Sequence, residues 1–149
     1  MPGVATSNQL AVRKHGWAWV ALTAALAAHV ADEALNDFLS FYNPMVTSLR
    51  ERWGWFPMPT FTFDAWLTGL IAAVIVLFLL SVLVFRGARA MIYFSYFYGA
   101  LMFLNGLAHT MGSVNFGRLL PGVYSSPLLL VASLWLLMCA AKRQTKILA

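Results

Sequence analysis

The stretch from Ala65 to Phe85 contains no charged residue and consists mainly of leucine, isoleucine, valine and other apolar residues. About 20 such residues are enough to cross the hydrocarbon core of a bilayer as one helix. The whole chain of 149 residues shares this character, since 61% of it is hydrophobic and only 10% is charged. A soluble domain carries about 25% charged residues. The sequence therefore predicts an integral membrane protein and excludes a soluble domain.

The apolar residues group into spans separated by polar or aromatic connections. The predicted spans cover about residues 17–35, 65–85, 90–111 and 128–141. The connection over residues 38–64 is rich in aromatic residues and proline, which favours the membrane–water interface and a short interfacial helix near residues 46–53. Residues 1–14 are polar, and we expect them to be mobile. The predicted fold is all-α, a polytopic bundle of four transmembrane helices that forms one membrane domain over residues 1–149.

The basic residues define the expected orientation of this bundle. Most of them fall on one side of the four-span arrangement, namely Arg13, Lys14, Arg86, Arg89, Lys142, Arg143 and Lys146. By the positive-inside rule this side, with both termini, is cytoplasmic, and His15 is expected at its surface. Topology thus accounts for the net charge of +5, and no nucleic-acid partner is expected. The expected partner is the lipid bilayer.

Two of the spans contain polar side chains at helical spacing. His29 and Glu33 lie four residues apart in the first span, as do Asn105 and His109 in the third, so each pair shares one helix face. At about 1.5 Å of rise per residue, both pairs reach a similar depth, about 20–28 Å from the cytoplasmic entry of their spans. Because ionisable groups are costly in hydrocarbon, an intramembrane cluster of them indicates a functional site.

One interpretation of this cluster is a metal centre. His29, Glu33 and His109 are the candidate ligands, and a divalent ion such as Zn or Fe suits two imidazoles and a carboxylate. Three protein ligands leave a position open for water or substrate. Asp32 and Asn105 are expected to support the catalytic residues. This interpretation predicts a small membrane enzyme that acts on a hydrophobic or lipid-like substrate.

The same residues also suit chemistry without a metal. A buried Glu33 could act as a general acid with His29 as proton shuttle, and Asn105 could orient a substrate oxygen. That machinery fits an isomerase or cyclase of a lipid or terpenoid.

Two further classes remain open from the residues alone. The polar cluster could be a structural hydrogen-bond network in a non-catalytic accessory subunit of a larger membrane complex. It could also be an ion relay in a small transporter, although four spans without a repeat would need a homo-oligomer for alternating access. Cys139, the single cysteine, can form no internal disulfide.

With these residues in view, the chain resembles the small membrane family named for its H-x-x-E-E motif. The matching segment runs from His29 to Glu33, with Asp32 in place of the first glutamate. Asn105 and His109, and the Pro-Gly pair of the following loop, are also similar to that family. The resemblance implies an enzyme-like site without defining a reaction. A weaker, local likeness to sterol-isomerase-type membrane proteins rests on His29, Glu33 and Asn105, and implies acid–base chemistry on a lipid.

Overall fold

The computed structural model describes the backbone of residues 2–148 and the side chains of residues 7–146. Within this part, the chain forms five helices: α1 (Pro2–Leu35), α2 (Phe38–Trp53), α3 (Phe63–Phe85), α4 (Ala90–Phe116) and α5 (Ser126–Leu148). All except α2 contain a segment long and apolar enough to cross a membrane. The prediction of an all-α, multi-pass membrane fold is therefore confirmed.

The helices are longer than the predicted spans. The residues after Met1, which itself lies outside the described part, were expected to be mobile but form the first turns of α1. The expectation considered only the polar character of these residues. Helix α1 instead extends on the N-terminal side of the apolar stretch, and His15 and Gly16 in this extension are packed inside the bundle. Helix α4 runs on to Phe116 and ends at Gly117, whose φ of 61° leaves the helical region.

Helix α1 lies at the centre of the bundle. It packs against α5 on one side and α3 on the other, whereas α4 packs mainly against α5. The core between α1 and α5 contains Trp19 and Leu22 together with Leu129 and Leu136, all fully buried. The indole Nε1 of Trp19 donates to the carbonyl oxygen of Leu77 at 2.9 Å, which ties α1 to α3. Most of the remaining surface of α3 is apolar and exposed, as expected for a lipid-facing helix.

Two glycines seven residues apart let α4 and α5 approach closely. A Cβ atom at Gly99 would lie 2.9 Å from the Leu137 side chain, and one at Gly106 would lie 3.2 Å from the Ser126 carbonyl oxygen. Small residues at a helix interface allow this approach in membrane proteins. The close packing positions the start of α5, and the loop before it, beside the C-terminal half of α4.

A buried polar network ties the helices at the end of the bundle where α1 begins, which we call the basic end. His15 is fully buried, and its Nε2 lies 2.7 Å from Ser95 Oγ in α4. Arg143 of α5 donates a hydrogen bond from one guanidinium nitrogen to His15 Nδ1 at 2.9 Å, and one from another to the Gly87 carbonyl oxygen. The expectation of a surface-exposed His15 is therefore wrong, because α5 extends past its predicted end and covers this residue.

Helix α2 and the loop after it cover the opposite end of the bundle, which we call the motif end. The helix covers residues 38–53, more than the predicted turns near 46–53. Its Leu39 and Val46 are buried in an apolar cluster with Trp66 of α3, against which Ala34 of α1 also packs. Tyr42 donates its hydroxyl to the Pro59 carbonyl oxygen at 3.0 Å, and burial raises the pKa of this phenol, so it stays a neutral donor. The aromatic segment between α1 and α3 is thus an ordered cap.

Candidate functional site

Three of the predicted side chains meet in one cluster at the motif end. Glu33 Oε1 lies 3.0 Å from His109 Nε2 and 3.6 Å from His29 Nε2. One ligand-capable atom from each residue lies within 4.8 Å of the others. His29 is 1% exposed and Glu33 6% exposed. Helix α1 thus offers two polar groups one turn apart, and α4 supplies the third.

Nδ1 of each imidazole faces a hydrogen-bond acceptor outside the cluster. His109 Nδ1 lies 2.6 Å from the Pro121 carbonyl oxygen, which can only accept, so this nitrogen carries a proton. His29 Nδ1 lies 2.8 Å from Ser125 Oγ, and Ser125 Oγ lies 2.7 Å from Asp32 Oδ2. Because the single hydroxyl proton of Ser125 goes to the carboxylate, the hydroxyl accepts from His29 Nδ1–H. Both histidines therefore have the same tautomer when neutral.

This tautomer leaves acceptors facing one another inside the cluster. In the neutral imidazoles, Nε2 of His29 and Nε2 of His109 are lone-pair atoms, and both face the Glu33 carboxylate. A single proton can join Glu33 to His109 at 3.0 Å. His29 Nε2 is then still buried without a hydrogen-bond partner among the described residues. Buried polar atoms are rarely left in this state, so the orphaned nitrogen needs an explanation.

A tight turn in the loop between α4 and α5 supports both rings. Gly122 has a φ of 85°, and a Cβ atom there would lie 2.7 Å from His109 Nδ1 and 2.9 Å from His29 Cε1. The two imidazoles meet edge to face in front of this glycine, with ring centroids 4.8 Å apart. Only glycine fits the position, because it tolerates the left-handed backbone and leaves room for the rings.

Asp32 lies beside the cluster and acts through the loop. Its Oδ2 accepts from the Ser125 backbone N–H at 2.9 Å as well as from the Ser125 hydroxyl, and its Oδ1 accepts from Asn36 Nδ2 at 2.8 Å. Its carboxylate therefore holds Ser125 in place against His29. Sequence reasoning did not identify Ser125, and the one signal for it was its position in an irregular segment just after the Pro-Gly pair.

Asn105 lies one turn before His109 and lines a cavity beside the cluster. Its side chain makes no hydrogen bond to any described residue, and none to the three clustered side chains in particular. This inner cavity has a volume of about 270 Å³. Its walls are mainly apolar, with Asn105 and His109 as polar exceptions, and they comprise Phe38, Phe41, Tyr42, Met45, Asn105, Ala108, His109, Gly112, Phe116, Leu120 and Pro121.

A larger open pocket, the vestibule, adjoins the inner cavity. It has a volume of about 650 Å³ and a more polar lining that includes Asp37, Ser40 and Arg118. The two spaces share wall residues, among them Phe41 of α2 and Phe116 of α4. These two rings meet edge to face with centroids 5.5 Å apart. The ring pair therefore forms part of the wall of both spaces.

Comparison with known proteins places the chain in a family. No curated protein and no solved structure matches the chain significantly. The family described as "protein of unknown function with HXXEE motif" matches residues 19–136, which is more than half of the chain and contains the whole cluster. The chain therefore belongs to the HXXEE-motif family, with Asp32 in the place of the first glutamate of the motif.

Proposed function

We propose that the protein is a small membrane enzyme whose His29, Glu33 and His109 bind one divalent metal ion, zinc or iron, next to a cavity for a hydrophobic substrate. One observation carries this proposal. Both histidines donate Nδ1–H to an acceptor, and both therefore present Nε2 lone pairs to one carboxylate oxygen. Metal-binding histidines commonly donate their other ring nitrogen in this way, which fixes the ring and raises its basicity.

The two distances from Glu33 Oε1 to the imidazole nitrogens suit a single ion, whereas the ligand atoms of the cluster spread over as much as 4.8 Å, so the two imidazoles would move closer together on binding it. Two ligands that are each about 2.1 Å from a metal ion lie roughly 3.4 Å apart in tetrahedral geometry and roughly 3.0 Å apart at right angles. The two separations from Glu33 Oε1, 3.0 Å and 3.6 Å, fall close to these values. An ion at this position would also give the orphaned His29 Nε2 a partner. Two imidazoles and one carboxylate are a donor set shared by catalytic zinc sites and by non-haem iron sites.

The surroundings support catalysis on an apolar molecule. Such an ion would supply a Lewis acid and would lower the pKa of a bound water toward about 7. His109 borders both the cluster and the inner cavity, so a molecule in that cavity would lie beside the reacting groups. The amide of Asn105, which has no described hydrogen bond, would orient a hydroxyl or carbonyl group of the substrate. We therefore propose a substrate with an apolar body and one neutral polar group.

Metal analysis of the purified protein tests the centre. We expect about one zinc or iron per chain in the detergent-solubilised wild type, and at least a ten-fold loss in Glu33→Gln. The matched control is Glu51→Gln, an identical change on the exposed face of α2. Equal metal content in the two variants, or a wild type that stays metal-free after incubation with both ions, would refute the metal centre.

A metal-free acid–base enzyme is the second candidate, because Glu33 and His109 are already at hydrogen-bond distance. Untargeted lipid analysis of cells with and without the gene separates the two. A lipid change that depends on Glu33 in a protein without metal supports the acid–base enzyme. An unchanged lipid profile, with loss of a partner complex in the His109→Ala strain, supports the accessory-subunit interpretation instead.

A further inference from the structure

A third cavity lies at the basic end, far along α1 from the cluster. It is a groove of about 380 Å³ between the first turns of α1 and the last turns of α5. Its floor is apolar, formed by Leu10, Ala11, Trp135, Met138 and Cys139, and its rim carries Lys14, Lys142 and Lys146. An apolar floor with lysines at its rim is complementary to an amphiphile with a negative head group.

No Asp or Glu side chain lines this groove. All five acidic residues of the chain lie between residues 32 and 64, whereas the basic end carries a large share of the arginines and lysines. Arg143 has a carbonyl oxygen and a histidine nitrogen as its described partners, and it is 3% exposed. Among the described residues no carboxylate pairs with the lysines of this groove. Lysines beside an apolar surface attract anionic lipids.

The walls of the groove are held at a fixed separation. Arg143 joins α5 to His15 of α1, and Lys146 donates to the Ser7 carbonyl oxygen of α1 at 3.2 Å. The groove thus exists before a ligand arrives. The apolar floor continues along the membrane-facing surface of α5, where Met138 is 54% exposed and Trp135 41% exposed. An acyl chain can lie on this surface while its head group stays among the lysines.

We propose that the groove between α1 and α5 is a binding site for an anionic phospholipid, with its phosphate at Lys14, Lys142 and Lys146 and one acyl chain along Trp135 and Met138. Lysines act on phosphate as point charges, so the site selects for charge rather than for one head-group shape. The acyl chain supplies a hydrophobic contribution that a free phosphate ester lacks. This site is independent of the proposed metal centre.

Native mass spectrometry of the full chain in detergent, titrated with phosphatidylglycerol or phosphatidylcholine, tests the site. We expect one tightly retained phosphatidylglycerol per chain and no equivalent phosphatidylcholine. Lys142→Gln together with Lys146→Gln should weaken retention about ten-fold. The matched control, Arg86→Gln with Arg89→Gln, removes the same charge from the same end of the bundle outside the groove, and should change retention less than two-fold.

A second variant tests the apolar floor without changing charge. Ala11→Phe fills the groove and should also weaken retention, while glycerol phosphate should not compete with the lipid. Equal losses in the lysine and arginine pairs would overturn the proposal in favour of general charge attraction. Competition by glycerol phosphate would replace the lipid with a soluble phosphate ester. A change from dimer to monomer in the lysine pair, without any change in lipid retention, would show that a second copy of the chain occupies the groove.

Discussion

At the scale of single residues, the hydroxyl of Ser125 determines which nitrogen of His29 faces the cluster. It donates a hydrogen bond to Asp32 and accepts one from His29 Nδ1–H, which leaves Nε2 directed at Glu33. Neither the carboxylate of Asp32 nor the hydroxyl of Ser125 is among the three clustered ligand-capable groups. These two residues therefore fix the orientation of His29 without belonging to the cluster.

Ser125→Ala removes the hydroxyl that accepts from His29 Nδ1–H. We expect metal affinity to fall by about 10- to 100-fold, because loss of the acceptor frees the orientation and tautomer of His29. The matched control is Ser133→Ala, since the Ser133 hydroxyl donates only to the Leu129 carbonyl oxygen within α5. Competition with a chromophoric chelator measures the affinity of both variants. Affinities that agree within two-fold would show that Ser125 does not position His29.

Gly122→Ala tests the support behind the two rings. The added Cβ would collide with both imidazoles, so we expect the variant to lose most of its bound metal as the rings move. Gly117→Ala is the matched control, because that glycine also has a left-handed φ but a Cβ there would meet nothing within 4 Å. The control should lose about 1 kcal/mol of stability from backbone strain alone and keep its metal. Equal metal loss in both alanine variants would attribute the effect to strain and contradict the steric explanation.

At the scale of helices, the two ends of α1 are held by different chemistry. The motif end is joined to α4 by the cluster of Glu33 and His109, and the basic end is joined to α4 and α5 by His15 and Arg143. Between the two ends, α1 is packed by apolar side chains such as Trp19 and Leu22. Because α4 packs mainly against α5, the position of α1 relative to α4 depends on these polar contacts at both ends and on the ring contacts of Trp19 with Phe94 and Tyr98 between them.

Arg143→Leu should destabilise the bundle through its basic end. The change leaves His15 Nδ1 and the Gly87 carbonyl oxygen without their described donor, so we expect a loss of about 2 kcal/mol. Arg89→Leu removes the same charge at an exposed position of the same end and should cost less than about 0.5 kcal/mol. Thermal unfolding in detergent measures both. Indistinguishable melting curves for the two variants would mean that the buried network contributes nothing to stability.

At the scale of the whole molecule, four helices long and apolar enough to cross a membrane predict that the start of α1 and the end of α5 lie on the same side of a bilayer. The basic end collects Arg13, Lys14 and the basic residues around the α3–α4 turn and the end of α5. By the positive-inside rule we predict that this end is cytoplasmic and that the cluster lies near the opposite surface.

Cysteine labelling in intact cells tests this orientation. In a Cys139→Ser background, Arg118→Cys lies just after the end of α4 and Arg89→Cys just before its start. We expect a membrane-impermeant maleimide to label Arg118→Cys in intact cells and Arg89→Cys only after permeabilisation. The reverse pattern would place the cluster on the cytoplasmic side and would contradict the predicted orientation.

The fold could be predicted further from the sequence than the surroundings of the cluster could. Helical periodicity and rise are regular, so the spacing of His29 and Glu33, and their match in depth with His109, followed from counting residues. The turn containing Gly122 and Ser125 has no period, and its return to α1 depends on packing between α4 and α5. The burial of His15 was missed because it depends on Arg143, which lies at the opposite end of the chain.

The loop that supports the two imidazoles also has a consequence for biosynthesis. His29 and Glu33 enter the bilayer with the first helix, whereas His109 and Gly122 are synthesised much later. A nascent chain that has completed only α1, α2 and α3 carries both polar groups in hydrocarbon without their final neighbours, at a considerable cost in free energy. In an interrupted translation product, His29 and Glu33 therefore remain in the membrane without their partners. They gain these partners only when the loop between α4 and α5 has been made and packs against α1.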